Sequence, residues 1–264
     1  MAVRLSDLRM PSPQQVFAAD GTHLATYSWG ELDAPTVMMV HGFASSTYDT
    51  WVITGWIRPL LDAGFRVIGI DQRGHGASDK PYDADAYNVR ILASDIETVL
   101  DTYLVDEALY LGYSLGGRIG WQVALDIPER IERAVLGGIP DGVPLDRLDL
   151  AQGHAYLEHG TPVTDQQTLN YITLAERTRG NDLGALLALA EGMRDASQTP
   201  DAGPAPHLPI LFATGTEDGI IEGSRAMADA APSGTMLEIP GRHHFNAVSS
   251  REFQAAAVAF LRGE

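Results

Sequence analysis

The run Gly112-Tyr113-Ser114-Leu115-Gly116-Gly117 is the stretch of this sequence best suited to covalent chemistry. It follows the short apolar run Ala108–Leu111 and opens a stretch with helical patterning. Glycines two before and two after the serine match the G-x-S-x-G elbow, a strand–turn–helix that lifts a serine hydroxyl above a sheet edge. So sharp a turn crowds the backbone, and residues without a side chain relieve the crowding. The helix start beneath the serine offers free N–H groups and the positive end of a dipole. A dinucleotide-binding loop needs G-x-G-x-x-G instead, which this run lacks.

A nucleophilic serine needs a general base, and the base needs an orienting acid. Of the eight histidines, only His243 and His244 follow the last predicted strand. A near-neutral pKa suits either one to take the serine proton and return it to a leaving group. Distance from Gly241 favours His244, which leaves His243 a structural or solvent-facing role. For the acid, Asp218 lies a few residues past the apolar run 210–214, where a carboxylate can reach the sheet's active edge; its bland alternative is a solvated loop acid, and Glu217 beside it is a decoy. Asp141, after the run 131–136, is the rival. Charge developing on a substrate oxygen requires donors aimed at it. The N–H of Leu115, at the helix start, is one. The N–H of Phe43, in His41-Gly42-Phe43-Ala44-Ser45-Ser46, is the other, because Gly42 lets that backbone turn.

Two further clusters read as structural. His41 is expected to anchor its own loop, since a better-placed base exists. Asp71-Gln72-Arg73-Gly74-His75-Gly76-Ala77-Ser78-Asp79 carries acids and a histidine, yet its glycines and arginine suit a tight, internally hydrogen-bonded loop better than a metal site.

The elements that must position these residues alternate. Residues 14–29 read as a hairpin around Asp20-Gly21. Short runs at 36–40 and 66–70 read as strands buried on both faces, which belong to parallel sheets, and 108–111, 131–136, 210–214 and 235–239 read as further strands. Helical spacing is expected at 51–62, 88–104, 115–125, 224–230 and 252–261. Alternation of this kind gives a mostly parallel central sheet with helices on both faces, an α/β fold. The rhythm breaks from 141 to 197, where helix formers dominate and Leu183–Met193 is the clearest helix. The expected organisation is a core of residues 1–140 and 198–264 with a helical lid at 141–197. Such insertions sit over the carboxyl ends of the strands, where open α/β sheets bind ligands. In the lid, Leu148, Leu150, Tyr156, Leu157, Tyr171, Ile172 and Leu186 either line an apolar pocket or, for most of them, pack the lid itself. Trp51 and Trp56 lie near the pocket mouth or in the core.

Composition narrows the function classes. The 264 residues suffice for a large core without cross-links. A formal net charge of −17 disfavours nucleic acid and anionic membranes as partners and points to neutral or apolar small molecules. With no cysteine there is no disulfide framework, no thiol nucleophile and no thiolate metal site. No apolar run has transmembrane length, and the first residues lack the pattern of a signal peptide, so a cytoplasmic location is expected.

Together, HGF at 41–43, DQRGHGASD at 71–79, GYSLGG at 112–117, GTED at 215–218 and GRHH at 241–244 resemble the α/β-hydrolase superfamily, in order and across roughly residues 14–262. The order Ser, Asp, His is the superfamily's order. The resemblance implies Ser114 as nucleophile, His244 as base, Asp218 as its partner, and Phe43 and Leu115 as oxyanion donors, with no cofactor and no metal. It also implies a serine hydrolase of carboxylic esters or lactones acting through an acyl-enzyme. Haloalkane dehalogenases and epoxide hydrolases of the superfamily use an aspartate at the elbow, where this chain has Ser114. Glycine often directly precedes the superfamily's histidine, whereas here His243 does. Carbon–carbon bond hydrolases, cofactor-free peroxidase-like members and non-catalytic small-ligand binders share the architecture and remain alternatives.

Overall fold

The computed structural model describes residues 9–140, 142–143, 145–194 and 203–264. Eight strands form one sheet in the order β1-β2-β4-β3-β5-β6-β7-β8. They are β1 Gln14–Phe17, β2 His23–Trp29, β3 Thr36–Val40, β4 Arg66–Asp71, β5 Ala108–Tyr113, β6 Ile131–Gly137, β7 Ile210–Gly215 and β8 Gly234–Ile239. β2 alone runs against the others, pairing antiparallel with β1 and β4, and all remaining pairings are parallel. The expected mostly parallel sheet is therefore present. β3, β4 and β5 are buried along their whole length, as wholly apolar runs require when helices cover both faces.

Strand alternation divides the core in two. Met38, Val40, Ile68, Ile70, Tyr110 and Leu136 face α2 (Val89–Thr102), α3 (Leu115–Asp126) and α7 (Ile221–Ala230). Val37, Met39, Val67, Leu109, Leu111 and Val135 face α1 (Ile57–Asp62) and α9 (Arg251–Leu261). Trp51 and Trp56 belong to this second layer, fully buried edge to face with their ring centroids 5.6 Å apart. The helix expected at 51–62 is broken. A π-type turn at Tyr48–Val52 is followed by Gly55 at φ +89, a conformation that ends helices, and only then by α1.

Between β6 and β7 stand α4 (Leu150–His159), α5 (Gln166–Arg177) and α6 (Leu183–Gly192). Aspartates cap all three: Asp149, Asp165 and Asp182 accept from Gln152, Thr168 and Ala185 N–H groups. Residues Ala185–Ala190 of α6 are buried throughout, which explains why its sequence is apolar all round rather than striped. Among the described residues, no helix is long and apolar enough to cross a membrane.

The loop after β4 is locked by its own side chains. Asp71 accepts from the N–H groups of Thr47 (2.8 Å) and Ala77 (2.9 Å) and from the Tyr27 hydroxyl (3.1 Å). Arg73 is fully buried between Asp95 and Asp20, and its guanidinium holds the Asp20 carboxyl down at about 2. His75 Nε2 accepts from the Ala44 N–H at 3.0 Å, so its proton sits on Nδ1 facing the Arg73 carbonyl at 3.1 Å. His41 Nε2 accepts from the Gln72 N–H at 3.2 Å. Asp71 and His75 thus give their lone pairs to this loop and to the segments packed against it, at Thr47, Tyr27 and Ala44.

Burial pushes the pKa of both His41 and His75 below the ordinary imidazole range. The unfolded chain takes up protons on them near pH 6.5, and the folded chain does not. Stability is therefore full above that pH and falls as the pH drops below it, by up to about 1.4 kcal/mol per pH unit for each histidine. The thermal midpoint is expected to fall between pH 7.5 and 5.0, and to fall less in His75→Gln, which keeps an acceptor for Ala44 but cannot titrate.

Candidate active site

The site forms where the strand order reverses, at the carboxyl ends of the adjacent strands β3 and β5, the position where open α/β sheets bind ligands. β5 ends in Tyr113, and Ser114 stands at φ 54, ψ −116 before α3 begins at Leu115. This is a sparsely populated conformation for a non-glycine residue, costing roughly 1–3 kcal/mol. Backbone contacts hold it. A Cβ on Gly112 would lie 2.3 Å from the Gly116 carbonyl oxygen, and one on Gly116 would lie 2.0 Å from that of Val40. The Ser114 N–H donates to Gly137 at 2.7 Å.

His244 opens α8 (His244–Ala247), a single turn between β8 and α9. Its Nε2 lies 2.8 Å from Ser114 Oγ, and its Nδ1 lies 2.7 Å from Asp218 Oδ2. With the Nδ1 proton donated to the carboxylate, Nε2 is left as acceptor for the serine O–H. The Asp218 side chain is 4% exposed, so water screens this contact little. Its other oxygen accepts from the Ile220 N–H at 3.3 Å. Glu217, one residue earlier, is exposed. Asp141, the rival acid, lies outside the described residues.

His243 points away from this line. It is exposed, caps α8 by accepting from the Phe245 N–H, and receives in return the Asn246 side chain on its own N–H at 2.8 Å. The turn α8 was not expected from sequence. Its capping pair is His and Asn rather than the Ser/Thr and Glu/Gln that mark a helix start.

The loop after β3 reaches the serine from the other side. A Cβ on Gly42 would meet Ser114 Cβ at 3.2 Å and the Tyr113 carbonyl at 3.4 Å, so glycine permits the approach. Phe43 and Leu115 are buried and line the space around Ser114. Among the described residues, neither backbone N–H donates to a protein acceptor.

Two clefts meet over Ser114, sharing Ser114, Tyr171, His244 and Phe245 as walls. The larger, about 600 Å³, runs between α5 and the Tyr48–Thr54 segment. The smaller, about 170 Å³, is walled by Gly142, Val143, Leu145, Asp146 and Arg147 and reaches Asp218 and Ile220. Of the insertion's candidate pocket residues, only Tyr171 walls both clefts. Leu148, Ile172 and Leu186 are buried in packing, and Leu157 is exposed. Tyr171 stacks edge to face on Phe43, centroids 5.4 Å apart, and sits 6.2 Å from Phe245. Sequence reasoning did not single out Tyr113, whose hydroxyl donates to the His244 carbonyl at 2.5 Å. The two residues are 131 apart in sequence, and no local pattern links them.

A family model described as "alpha/beta hydrolase fold" matches residues 35–161. The chain is 35% identical over 129 residues to the AB hydrolase superfamily protein YfhM of Bacillus subtilis, covering 48% of this chain and 43% of that one. It is 29% identical over 251 residues to a non-heme chloroperoxidase of Streptomyces lividans, covering 84% and 87%. Proteins named epoxide hydrolases from Sus scrofa and Mycobacterium tuberculosis match over shorter stretches. In these and the Bacillus protein, the match spans less than half of the relative's length. The solved enol-lactonase of Burkholderia xenovorans superposes with a TM-score of 0.77 at 21% identity, over 94% of this chain and all of that one.

The crowding at the elbow sets a stability test. Gly116→Ala forces a methyl into the Val40 carbonyl, an overpacking cost of roughly 1–3 kcal/mol. The thermal midpoint is expected to fall by several degrees. Among the described residues, a methyl in Gly203→Ala meets nothing within 4 Å, and this variant is expected to leave the melting curve in place.

Proposed function

Because the chain belongs to the α/β-hydrolase superfamily, we propose that it is a serine hydrolase cleaving a carboxylic ester or lactone through an acyl-enzyme intermediate. The observation that carries this reading is the continuous hydrogen-bonded line from Ser114 Oγ through the His244 ring to the Asp218 carboxylate.

The proposed sequence of steps follows from that line. Ser114 Oγ attacks the substrate carbonyl as its proton passes to His244 Nε2, and Asp218 stabilises the resulting imidazolium. The carbonyl π pair becomes an oxyanion, which the N–H groups of Phe43 and Leu115 and the positive end of α3 stabilise. The intermediate collapses, the leaving alkoxide takes the proton from His244, and the acyl group stays on Ser114. Water, deprotonated by the same His244, then releases the acid. No cofactor is needed for any step. Residues 141–197 act as a lid over a core of 1–140 and 198–264, and the two clefts beneath it receive the acyl and leaving groups of a small molecule. The location proposed is cytoplasmic.

An epoxide is a poor fit. Attack by a serine hydroxyl would give an ether, which has no carbonyl for water to attack, so turnover would stop after one event. A peroxidase-like reading has one specific observation behind it: the long match to a protein named non-heme chloroperoxidase. In that case hydrogen peroxide replaces water as the second nucleophile and a peracid leaves, using the same three residues.

Short-chain aryl esters and a lactone panel test the proposal. Ser114→Ala and His244→Ala are each expected to lower kcat by about 10⁴-fold or more, with folding intact. A fluorophosphonate probe is expected to label wild type at Ser114 and to leave Ser114→Ala unlabelled. Undiminished turnover in Ser114→Ala would overturn the mechanism, and an unlabelled wild type without turnover would favour a binding protein. Peracid formation from acetate and hydrogen peroxide, exceeding ester hydrolysis, would favour the peroxidase-like reading.

A further inference from the structure

We propose that Asn181, in the turn between α5 and α6, is a positioning residue for the loop that carries the Phe43 N–H, an inference that rests on the hydrolase reading above.

Three observations converge on Ala44, the residue after Phe43. It is one of four non-glycine residues with positive φ among those described, at φ 58. Alanine does not hold that conformation unaided, so the surroundings must over-determine it. Both of its backbone polar groups are taken. The Ala44 N–H donates to His75 Nε2 at 3.0 Å, and the Ala44 carbonyl accepts from Asn181 Nδ2 at 2.9 Å. The two peptide planes flanking Ala44 are thereby pinned, one by the core loop after β4 and the other by the helical insertion.

The Asn181 amide is clamped in turn. Its Oδ1 accepts from the Gly76 N–H at 2.8 Å. Gly76 N–H can only donate and the Ala44 carbonyl can only accept, so chemistry fixes which end of the amide faces which. The close approach depends on Gly180, at φ +86, where a Cβ would stand 2.4 Å from the Gly76 carbonyl oxygen. One side chain thus ties the insertion to the two core loops that follow β3 and β4. It touches neither Ser114 nor the clefts.

The consequence concerns the transition state. Rotation about the bonds of Ala44 changes the path of the chain on either side of it, and through the backbone of Phe43 this shifts the Gly42–Phe43 peptide, which carries the Phe43 N–H. An oxyanion donor acts only when aimed at the developing charge, and losing one outright costs about 10²–10³ in kcat. Loosening its support is expected to cost less, about 10–100-fold. Ground-state binding, made along the clefts, is expected to change little.

Asn181→Asp is the sharpest variant, because it retains size and the acceptor for Gly76 but has no donor for Ala44. Its kcat on an aryl ester is expected to fall 10–100-fold with KM within about threefold. A trifluoromethyl ketone adds to Ser114 Oγ with its carbonyl oxygen becoming the oxyanion and the serine proton moving to His244. Its inhibition constant is expected to rise by the factor by which kcat/KM falls. Should Asn181→Ala or Asn181→Asp fold poorly, Ala44→Gly in the same background is expected to restore part of kcat, since glycine holds the positive φ without help. Wild-type kcat in Asn181→Asp, or a loss confined to KM, would overturn the proposal. Wild-type protein with no turnover and no fluorophosphonate label would instead remove the hydrolase reading and this inference with it.

Discussion

Backbone meets backbone under Ser114, and the rest of the site is arranged around that contact. The first turn of α3 rests on the carbonyl of Val40 at the end of β3, at a separation that leaves no room for a side chain on Gly116. The same turn crowds Gly112 at the end of β5. Because β3 and β5 are hydrogen-bonded neighbours, the loops leaving both strands are forced over one small area. The positive φ of Ser114 follows from that geometry, and so does the nearness of Gly42 to its side chain. Strain of this kind persists only where surroundings over-determine it. Here parallel strands on both sides of β5 do so.

A second layer of constraint keeps the polar partners in line. Tyr113, adjacent to the serine, reaches across to the carbonyl of His244, so serine and imidazole are tied through a buried phenol as well as directly. The loop after β4 contributes no group to the proposed chemistry. Its buried Asp71 and His75 are consumed in holding the backbone of Thr47 and Ala44, and its buried Arg73 in pairing with Asp95. Packing extends this support upward, since residues Ala185–Ala190 of α6 are buried and Leu186, Leu187 and Leu189 join the same apolar cluster as Met38 and Val40. The insertion is therefore continuous with the core rather than resting loosely on it.

Much of the scaffold was readable from local pattern. Wholly apolar runs such as TVMMV and RVIGI announce strands covered on both faces, and Asn88 announces the start of α2 by capping it. The misreadings have local causes. The stretch 51–62 has helical spacing, but Gly55 takes a left-handed conformation and the chain runs through i→i+5 bonds, so α1 starts only at Ile57. The turn α8 is one turn long and capped by an uncommon pair, beneath what periodicity can detect.

By itself, the sequence determined the strand–turn–helix at Ser114, the alternation that builds a mostly parallel sheet, and a short set of acids and bases in loops past strand ends. Those features depend on neighbours within a few residues, and glycine spacing and apolar runs encode them directly. Tertiary structure alone decided between His243 and His244, because one turn of helix sends adjacent side chains in different directions, one to cap and one to Ser114. It alone separated Asp218 from Glu217 by burial, and it alone brought Asn181 to Ala44 across 137 residues. Contacts at such separation arise from how the sheet orders its strands, and no local stretch of chain carries that order.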